Sequence, residues 1–320
     1  MAVKICILDA ATLGKDINVE PIKTCGDLAT YDLTMPHQIE ERIENAEVII
    51  TNKVILNEGN LKNAKKLKLI ALTATGYNNI DIDYAKRAGI GVVNVAGYST
   101  KSVAQHTFAM LFYLLEHLKD YDEYVKSRHY VKSETFTFIA WPFYELADKT
   151  IGIIGMGAIG KEVAKIADAF GAHIIYYSTS GHNNSSSYKR VDLTTLLKES
   201  DIITIHAPLN YNTENLIGYQ ELMQMKKEAV LLNLGRGRIV DEAALAKALN
   251  EEMIAAAGLD VLEKEPIDEN NPLFTVKNQS KLLITPHIGW ASVEARNTLV
   301  AEIVENIKAF FNGEMRNRIV

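Results

Sequence analysis

The sequence predicts an α/β fold built from parallel sheets and divided into two domains. Short apolar runs alternate with amphipathic stretches from end to end, which is the pattern of strand and helix taken in turn. The length, 320 residues, suits ~2 domains. A second series of strands opens near the middle, at KTIGIIGMGAIGKEVAKIADAFG from Lys149, where a glycine-rich turn separates a strand from a helix.

In the first series VKICILD, ATYDLT, AEVIITN, LKLIALTA and IGVVNVA read as strands. Helical patterns such as HQIEERIENA and IDYAKRAG lie between several of them. A long helical pattern then covers 102–126, followed by an irregular piece, 127–148, that holds FTFIAWPFYE. Exposed aromatics at that density are costly, so this piece is expected to pack on something, such as a second subunit. The second series is TIGIIGM, HIIYYS, DIITIHA, AVLLNLG, AAAGLDV and KLLITPH, with helices such as KEVAKIADAFG and DEAALAKALNEE between. A last helical pattern covers 293–312. If that helix returns to the first domain, the first domain is discontinuous and a cleft lies between the two.

Composition excludes several classes. The 48% apolar content is ample for real cores, and a net charge of −6 argues against non-specific attraction to nucleic acid or anionic membranes. Cys6 and Cys25 have neither metal-ligand nor redox spacing and read as reduced thiols of a cytoplasmic protein. The start MAVKICILDA reads as a first buried strand, not as a secretory signal. The most apolar stretch, 108–115, is far too short to span a bilayer.

Gly155-x-Gly157-x-x-Gly160 is common on its own, but here a buried strand precedes it and a helix follows. In that setting Gly155 permits the tight turn, Gly157 lets a pyrophosphate approach the backbone, and Gly160 lets helix pack on strand. The helix N-terminus offers amide donors and partial positive charge to the phosphates. An acidic residue at the end of the next strand would grip the adenosine ribose as in NAD sites. Here HIIYY ends in Ser178-Thr179-Ser180-Gly181 instead. These hydroxyls either cap a turn or hydrogen-bond a 2′-phosphate. No Arg adjoins them, though His182, Lys189 and Arg190 follow, so both NAD(H) and NADP(H) stay open.

Three further motifs carry charge past strand ends: NLGRGRIVDEAAL with Arg236, AGLDVLEKEP with Asp260 and Glu265, and LLITPHIGW with His287. All can converge at the carboxyl edge of one sheet, where α/β sheets place ligands. A guanidinium clamps a carboxylate, an imidazole exchanges a proton near neutral pH, and a carboxylate beside it orients it and favours its protonated form. Together they suit a 2-oxo acid reduced by a nicotinamide hydride. Taken singly, each reads more readily as a surface Arg, a turn Glu or a strand-end His.

These motifs resemble the D-isomer-specific 2-hydroxyacid dehydrogenase family over nearly the whole chain. TGYNNIDIDYAKRAGIGVVNVAGYSTKSVAQH, GMGAIG, HAPLNYNTENLI, NLGRGRIVDEAAL, GLDVLEKEP and TPHIGW follow in family order. The resemblance implies two doubly wound parallel-sheet domains. One is a flavodoxin-like substrate-binding lid, 1–98 and 289–320, and the other a Rossmann dinucleotide-binding domain, 99–288. It implies a catalytic set of Arg236, Glu265 and His287, with no metal. Thr75 and Gly76 would offer backbone amides to the substrate carboxylate, alongside Arg236 and His287. Asp260 would hold the nicotinamide carboxamide. Ala158, Ile159, Ala207, Pro208, Thr213, Leu234 and Gly235 would line the cofactor with Gly155, Gly157, Gly160 and Ser178. Relatives close over the substrate and dimerise through the nucleotide domain, so a homodimer is expected.

VAQH, with Gln105, and FYELADKTIGIIG look most like the glycerate dehydrogenase (hydroxypyruvate reductase) branch, and Glu265 argues against formate as substrate. D-lactate or a bulkier D-2-hydroxy acid is the alternative. A dinucleotide-sensing, co-repressor-like binding protein is a rival from another class, against which the intact Arg236, Glu265 and His287 set weighs. The eight histidines show neither HxH nor HExxH spacing, which argues against a zinc hydrolase.

Overall fold

The computed structural model describes residues 2–182, 185 and 187–320. The chain forms two compact units, 1–99 with 291–320 and 100–290.

The first unit holds five parallel strands, β1 (Lys4–Ile7), β2 (Asp27–Thr30), β3 (Val48–Thr51), β4 (Leu69–Leu72) and β5 (Gly91–Val93), in the order β2-β1-β3-β4-β5. That is the flavodoxin-like order. β3 and β4 are buried along their whole length, because a parallel sheet is covered on both faces and its inner strands read as unbroken apolar runs. The terminal helix Val293–Phe311 covers one face, where Leu299, Ile303 and Ile307 join Ile5, Ile7, Val48 and Leu69. Its buried Asn306 donates to the carbonyl of Asn94 at 2.9 Å, so the C-terminal helix is tied to the chain just past β5.

β2 differs from its expected position. The strand ends at Thr30, and the YDLT part of the expected run lies outside it. β2 is an edge strand with mostly exposed side chains, so its apolar pattern does not mark its limits.

The second unit holds β6 (Thr150–Ile154), β7 (His173–Tyr177), β8 (Lys189–Arg190), β9 (Ile202–Ile205), β10 (Val230–Asn233), β11 (Ala256–Leu259) and β12 (Leu282–Ile284). All pair in parallel, in the order β12-β11-β10-β9-β6-β7-β8. The order reverses direction between β9 and β6, which makes their carboxyl ends the switch point where doubly wound sheets bind ligands. Helices Thr100–Leu115 and Ala158–Ala169 cover one face through Val103, Leu111, Val163 and Ala167. Helices Leu193–Glu199 and Glu242–Asn250 cover the other through Leu196, Leu197, Leu245 and Leu249.

The single helix expected over 102–126 is two helices, Thr100–Leu115 and Leu118–Lys126. His117 breaks it with a left-handed φ of 51°. The second helix is then held by Asp120, which accepts from the Ser280 hydroxyl at 2.7 Å. Beyond it the aromatic segment folds partly on itself: Phe138 stacks on Tyr124 at 3.8 Å, and the Tyr121 hydroxyl donates to the Trp141 carbonyl. Phe136, Ile139, Phe143 and Tyr144 remain exposed on the surface of this unit. Among the described residues no helix is long and apolar enough to cross a membrane, and no cluster of side chains could hold a metal ion.

Candidate active site

Five neighbouring strands, β12, β11, β10, β9 and β6, bring His287, Asp260 with Glu265, Arg236, His206 with Ala207, and the Gly155 turn to one edge of the second sheet. Adjacent parallel strands lie ~4.8 Å apart, so the ends of β10 and β12 are roughly 10 Å apart, within reach of an arginine and a histidine side chain.

The three glycines of the turn differ in what they touch. Gly155 has φ +97°, and a Cβ there would lie 2.7 Å from the Ala207 amide nitrogen. A Cβ on Gly160 would lie 2.2 Å from the Gly155 carbonyl oxygen. Protein packing thus accounts for both. Gly157 has φ −80°, and a Cβ there would meet no protein atom within 4 Å. It is also the N-cap of the helix Ala158–Ala169, with no side chain to answer the first amides. The fold itself does not require the middle glycine; a phosphate laid over these amides would.

A second mark of a ligand is Ser178. The residue is only 4% exposed, and among the described residues its hydroxyl has no hydrogen-bond partner. Buried polar atoms almost always have one. The residues present therefore fit a dinucleotide: the Gly157 amides for the pyrophosphate and Ser178 for the adenosine side.

The other expected lining positions differ in exposure. Ala207 and Leu234 are buried in the hydrophobic cores on either face of the sheet, while Ala158 and Pro208 are exposed and Ile159 partly so. Thr213 has no exposed surface; its hydroxyl donates to the Pro208 carbonyl at 2.7 Å and shapes the 208–213 turn. Gly235 packs against the Ala207 carbonyl. Beside them, the Nδ1 of His206 is buried without a partner, although part of the residue reaches solvent. Burial pushes this imidazole down to about 3, so it is neutral.

Arg236 is held by its backbone. Asn233, fully buried at the end of β10, donates from Nδ2 to the Arg236 carbonyl at 2.9 Å and accepts the Gly235 amide at 3.0 Å. Among the described residues the guanidinium donates once, to the Gly235 carbonyl, which leaves further N–H donors of its planar fork. The next residue, Gly237, abuts the chain after β11, and a Cβ there would lie 1.9 Å from the Leu262 carbonyl carbon. The Leu262 amide in turn donates to Glu265 Oε1 at 3.1 Å. The arginine loop and the glutamate loop are thereby locked together.

Glu265 Oε2 lies 2.8 Å from His287 Nδ1. A carboxylate only accepts, so Nδ1 carries a proton and Nε2 is the nitrogen left for exchange. His287 has φ +55°, a conformation uncommon outside glycine that is held only when its surroundings over-determine it. They do so here. Asp260 accepts the Thr285 hydroxyl at 2.7 Å and the amides of Ile288 and Gly289, both at 2.8 Å. His106 Nε2 lies 3.4 Å from the same carboxylate, and the Ser102 hydroxyl donates to the Gly289 carbonyl at 2.6 Å. Burial opposes the charge on Asp260, yet these donors outweigh it and hold the carboxyl below its ordinary value. Asp260 is thus the anchor of the loop that carries His287.

Sequence reasoning did not single out Asn233, Ser102, His106 or Thr285. Asn233 shows only as a polar residue at the end of an apolar run, AVLLNLG, while Ser102 lies beside, and His106 and Thr285 lie within, motifs whose other residues drew the reading. Thr75 and Gly76 belong to the first unit, past β4, where the Thr75 hydroxyl donates to the Val95 carbonyl and its own carbonyl accepts from Asn94. Gln105 is exposed on its helix.

Residues 108–289 match the family model for the NAD-binding domain of D-isomer-specific 2-hydroxyacid dehydrogenases. The chain is 38% identical to a glycerate dehydrogenase of Methylorubrum extorquens over 318 residues, covering 99% of both chains. It is 42% identical to a glyoxylate reductase of Thermococcus litoralis over 280 residues, 85% of this chain and 82% of that one. The structure superimposes on D-lactate dehydrogenase from Aquifex aeolicus, solved with NAD and lactic acid, with a TM-score of 0.86 at 29% identity and 99% coverage of both chains.

Proposed function

This chain belongs to the D-isomer-specific 2-hydroxyacid dehydrogenase family, and from that premise we propose that it reduces hydroxypyruvate or glyoxylate. It is an oxidoreductase with a nicotinamide dinucleotide cofactor. The observation that supports the catalytic assignment is the 2.8 Å pair between Glu265 and His287, the latter in a left-handed backbone conformation two strands from the Arg236 loop, across β11.

When bound, the nicotinamide supplies the hydride. Arg236 presents its remaining N–H donors to the substrate carboxylate and carbonyl oxygen. His287 Nε2 gives a proton to the carbonyl oxygen in reduction and takes it back in oxidation. Glu265 fixes the tautomer and steadies the imidazolium. Asp260, through Thr285, Ile288 and Gly289, keeps the histidine loop in place, while the open turn at Gly157 and the N-terminus of the helix behind it would take the pyrophosphate, with Gly155 and Gly160 shaping that turn. Thr75 and Gly76 would add backbone amides for the substrate carboxylate. The preference for a small acid follows the relatives named glycerate dehydrogenase and glyoxylate reductase.

We extend the proposal to a cytoplasmic homodimer. The exposed Phe136, Ile139, Phe143 and Tyr144 of the nucleotide-binding unit support it. A panel of 2-oxo acids, each with NADH and NADPH, tests the whole reading. Hydroxypyruvate or glyoxylate should give the highest kcat/KM; a higher value on phenylpyruvate or 2-oxoisocaproate would overturn the substrate, and no turnover of any 2-oxo acid would overturn the catalytic reading.

A further inference from the structure

The turn after β7 holds a cation that is twelve positions away in sequence. β8 pairs in parallel with β7, and its register sets Arg190 beside Tyr176, two residues before Ser178. From there Arg190 reaches across the turn, and its Nη1 donates to the Gly181 carbonyl at 2.9 Å. The turn is closed by the Gly181 amide on the Ser178 carbonyl at 3.2 Å. Gly181 has φ +74°, and a Cβ there would lie 3.9 Å from Arg190 Nη2. The same turn begins at Ser178, whose hydroxyl is buried and without a partner among the described residues.

The chain from Ser178 to Val191 contains no acidic residue. The next one, Asp192, faces its own helix, where its carboxylate accepts the Thr195 amide at 2.8 Å and the Thr195 hydroxyl at 3.0 Å. These two bonds hold its carboxyl below the ordinary aspartate value. An anion placed over the turn therefore meets a guanidinium, an unanswered hydroxyl and no carboxylate supplied by 178–191. An NAD ribose would meet no acidic partner there.

We propose that Ser178 and Arg190 form a 2′-phosphate subsite, so that this chain binds NADPH in preference to NADH. The proposal rests on reading the Gly155–Gly160 turn as a dinucleotide site and deepens it. Arg190 supplies the charge that the sequence around 178–181 lacks, and it does so from a neighbouring strand. The Gly181 carbonyl pre-orients the guanidinium, so little side-chain freedom is lost on binding.

Calorimetric titration of the purified protein with AMP and with adenosine 2′,5′-bisphosphate isolates the phosphate in question. Wild type should bind the bisphosphate about tenfold or more tightly than AMP, as expected of a charge-assisted hydrogen bond. R190Q should abolish that difference while leaving AMP within about twofold, and R190K should keep part of it. Equal affinities in wild type would overturn the subsite. So would an R190Q variant that loses both ligands equally, because Arg190 would then only prop the turn. If wild type binds neither nucleotide nor NADH, the dinucleotide reading itself fails.

Discussion

Replacing Gly157 and Gly160 by alanine, one at a time, separates a glycine kept for a ligand from one kept for packing. At Gly160 the new methyl carbon would lie 2.2 Å from the Gly155 carbonyl oxygen. A comfortable C···O approach is ~3.3 Å, so helix and strand must part by about 1 Å. Overpacking of that kind costs roughly 1–3 kcal/mol. In a unit of this size each kcal/mol lowers the melting temperature by about 2–4 °C, so G160A should melt roughly 2–12 °C below wild type. At Gly157 no protein atom lies within 4 Å of the added methyl group. The remaining cost is that alanine is a poorer N-cap than glycine, about 1 kcal/mol at most. The methyl group would occupy the open space that the proposal gives to the phosphate, so NADH affinity should fall tenfold or more. Thermal unfolding without ligand gives the first quantity and calorimetric titration with NADH the second. If G157A binds NADH as wild type does, or melts as low as G160A, the open space at Gly157 is not a phosphate cradle.

Ser178→Asp should move coenzyme preference towards NADH, by offering the ribose a charged acceptor and repelling a 2′-phosphate; kcat/KM ratios for the two coenzymes that stay at the wild-type value would count against it. His206 is held neutral, with its folded pKa pushed from 6.5 down to about 3. Its contribution to stability is thus complete above about pH 6.5, and it shrinks as pH falls towards 3, where only the unfolded chain takes up the proton. His206→Gln should flatten the pH dependence of the urea midpoint across that window, and parallel curves for the two proteins would contradict the assignment.

Much of this arrangement was legible in the sequence, for a physical reason. β3, β4, β9 and β10 are buried on both faces, so each shows as an unbroken apolar run. The charged motifs stand at the ends of such runs, and parallel strands deliver their ends to one edge. Edge strands carry no such signal. β2 is largely exposed and was misplaced, and β8 is two exposed charged residues that no periodicity could reveal. The break at His117 depends on one left-handed residue and a distant serine, neither of which interrupts the helical pattern. Supporting residues were hidden for a similar reason. Asn233, Ser102 and Thr285 act through hydrogen bonds to loops, and a short polar side chain near a helix start or strand end is common. Asp260 stood out, but its ties to Ile288 and Gly289 come from a strand pairing that sequence spacing does not encode.

The central claim is that His287, held by Glu265, is the proton donor to the substrate carbonyl. Single-turnover reduction of hydroxypyruvate by His287→Ala, with NADH or NADPH affinity measured on the same protein, tests it most directly. The rate of the chemical step should fall ~10²–10⁴-fold, the range for a lost general acid, while coenzyme affinity stays near the wild-type value. A nearly wild-type rate would contradict the claim, and so would a loss fully explained by failure to bind the coenzyme.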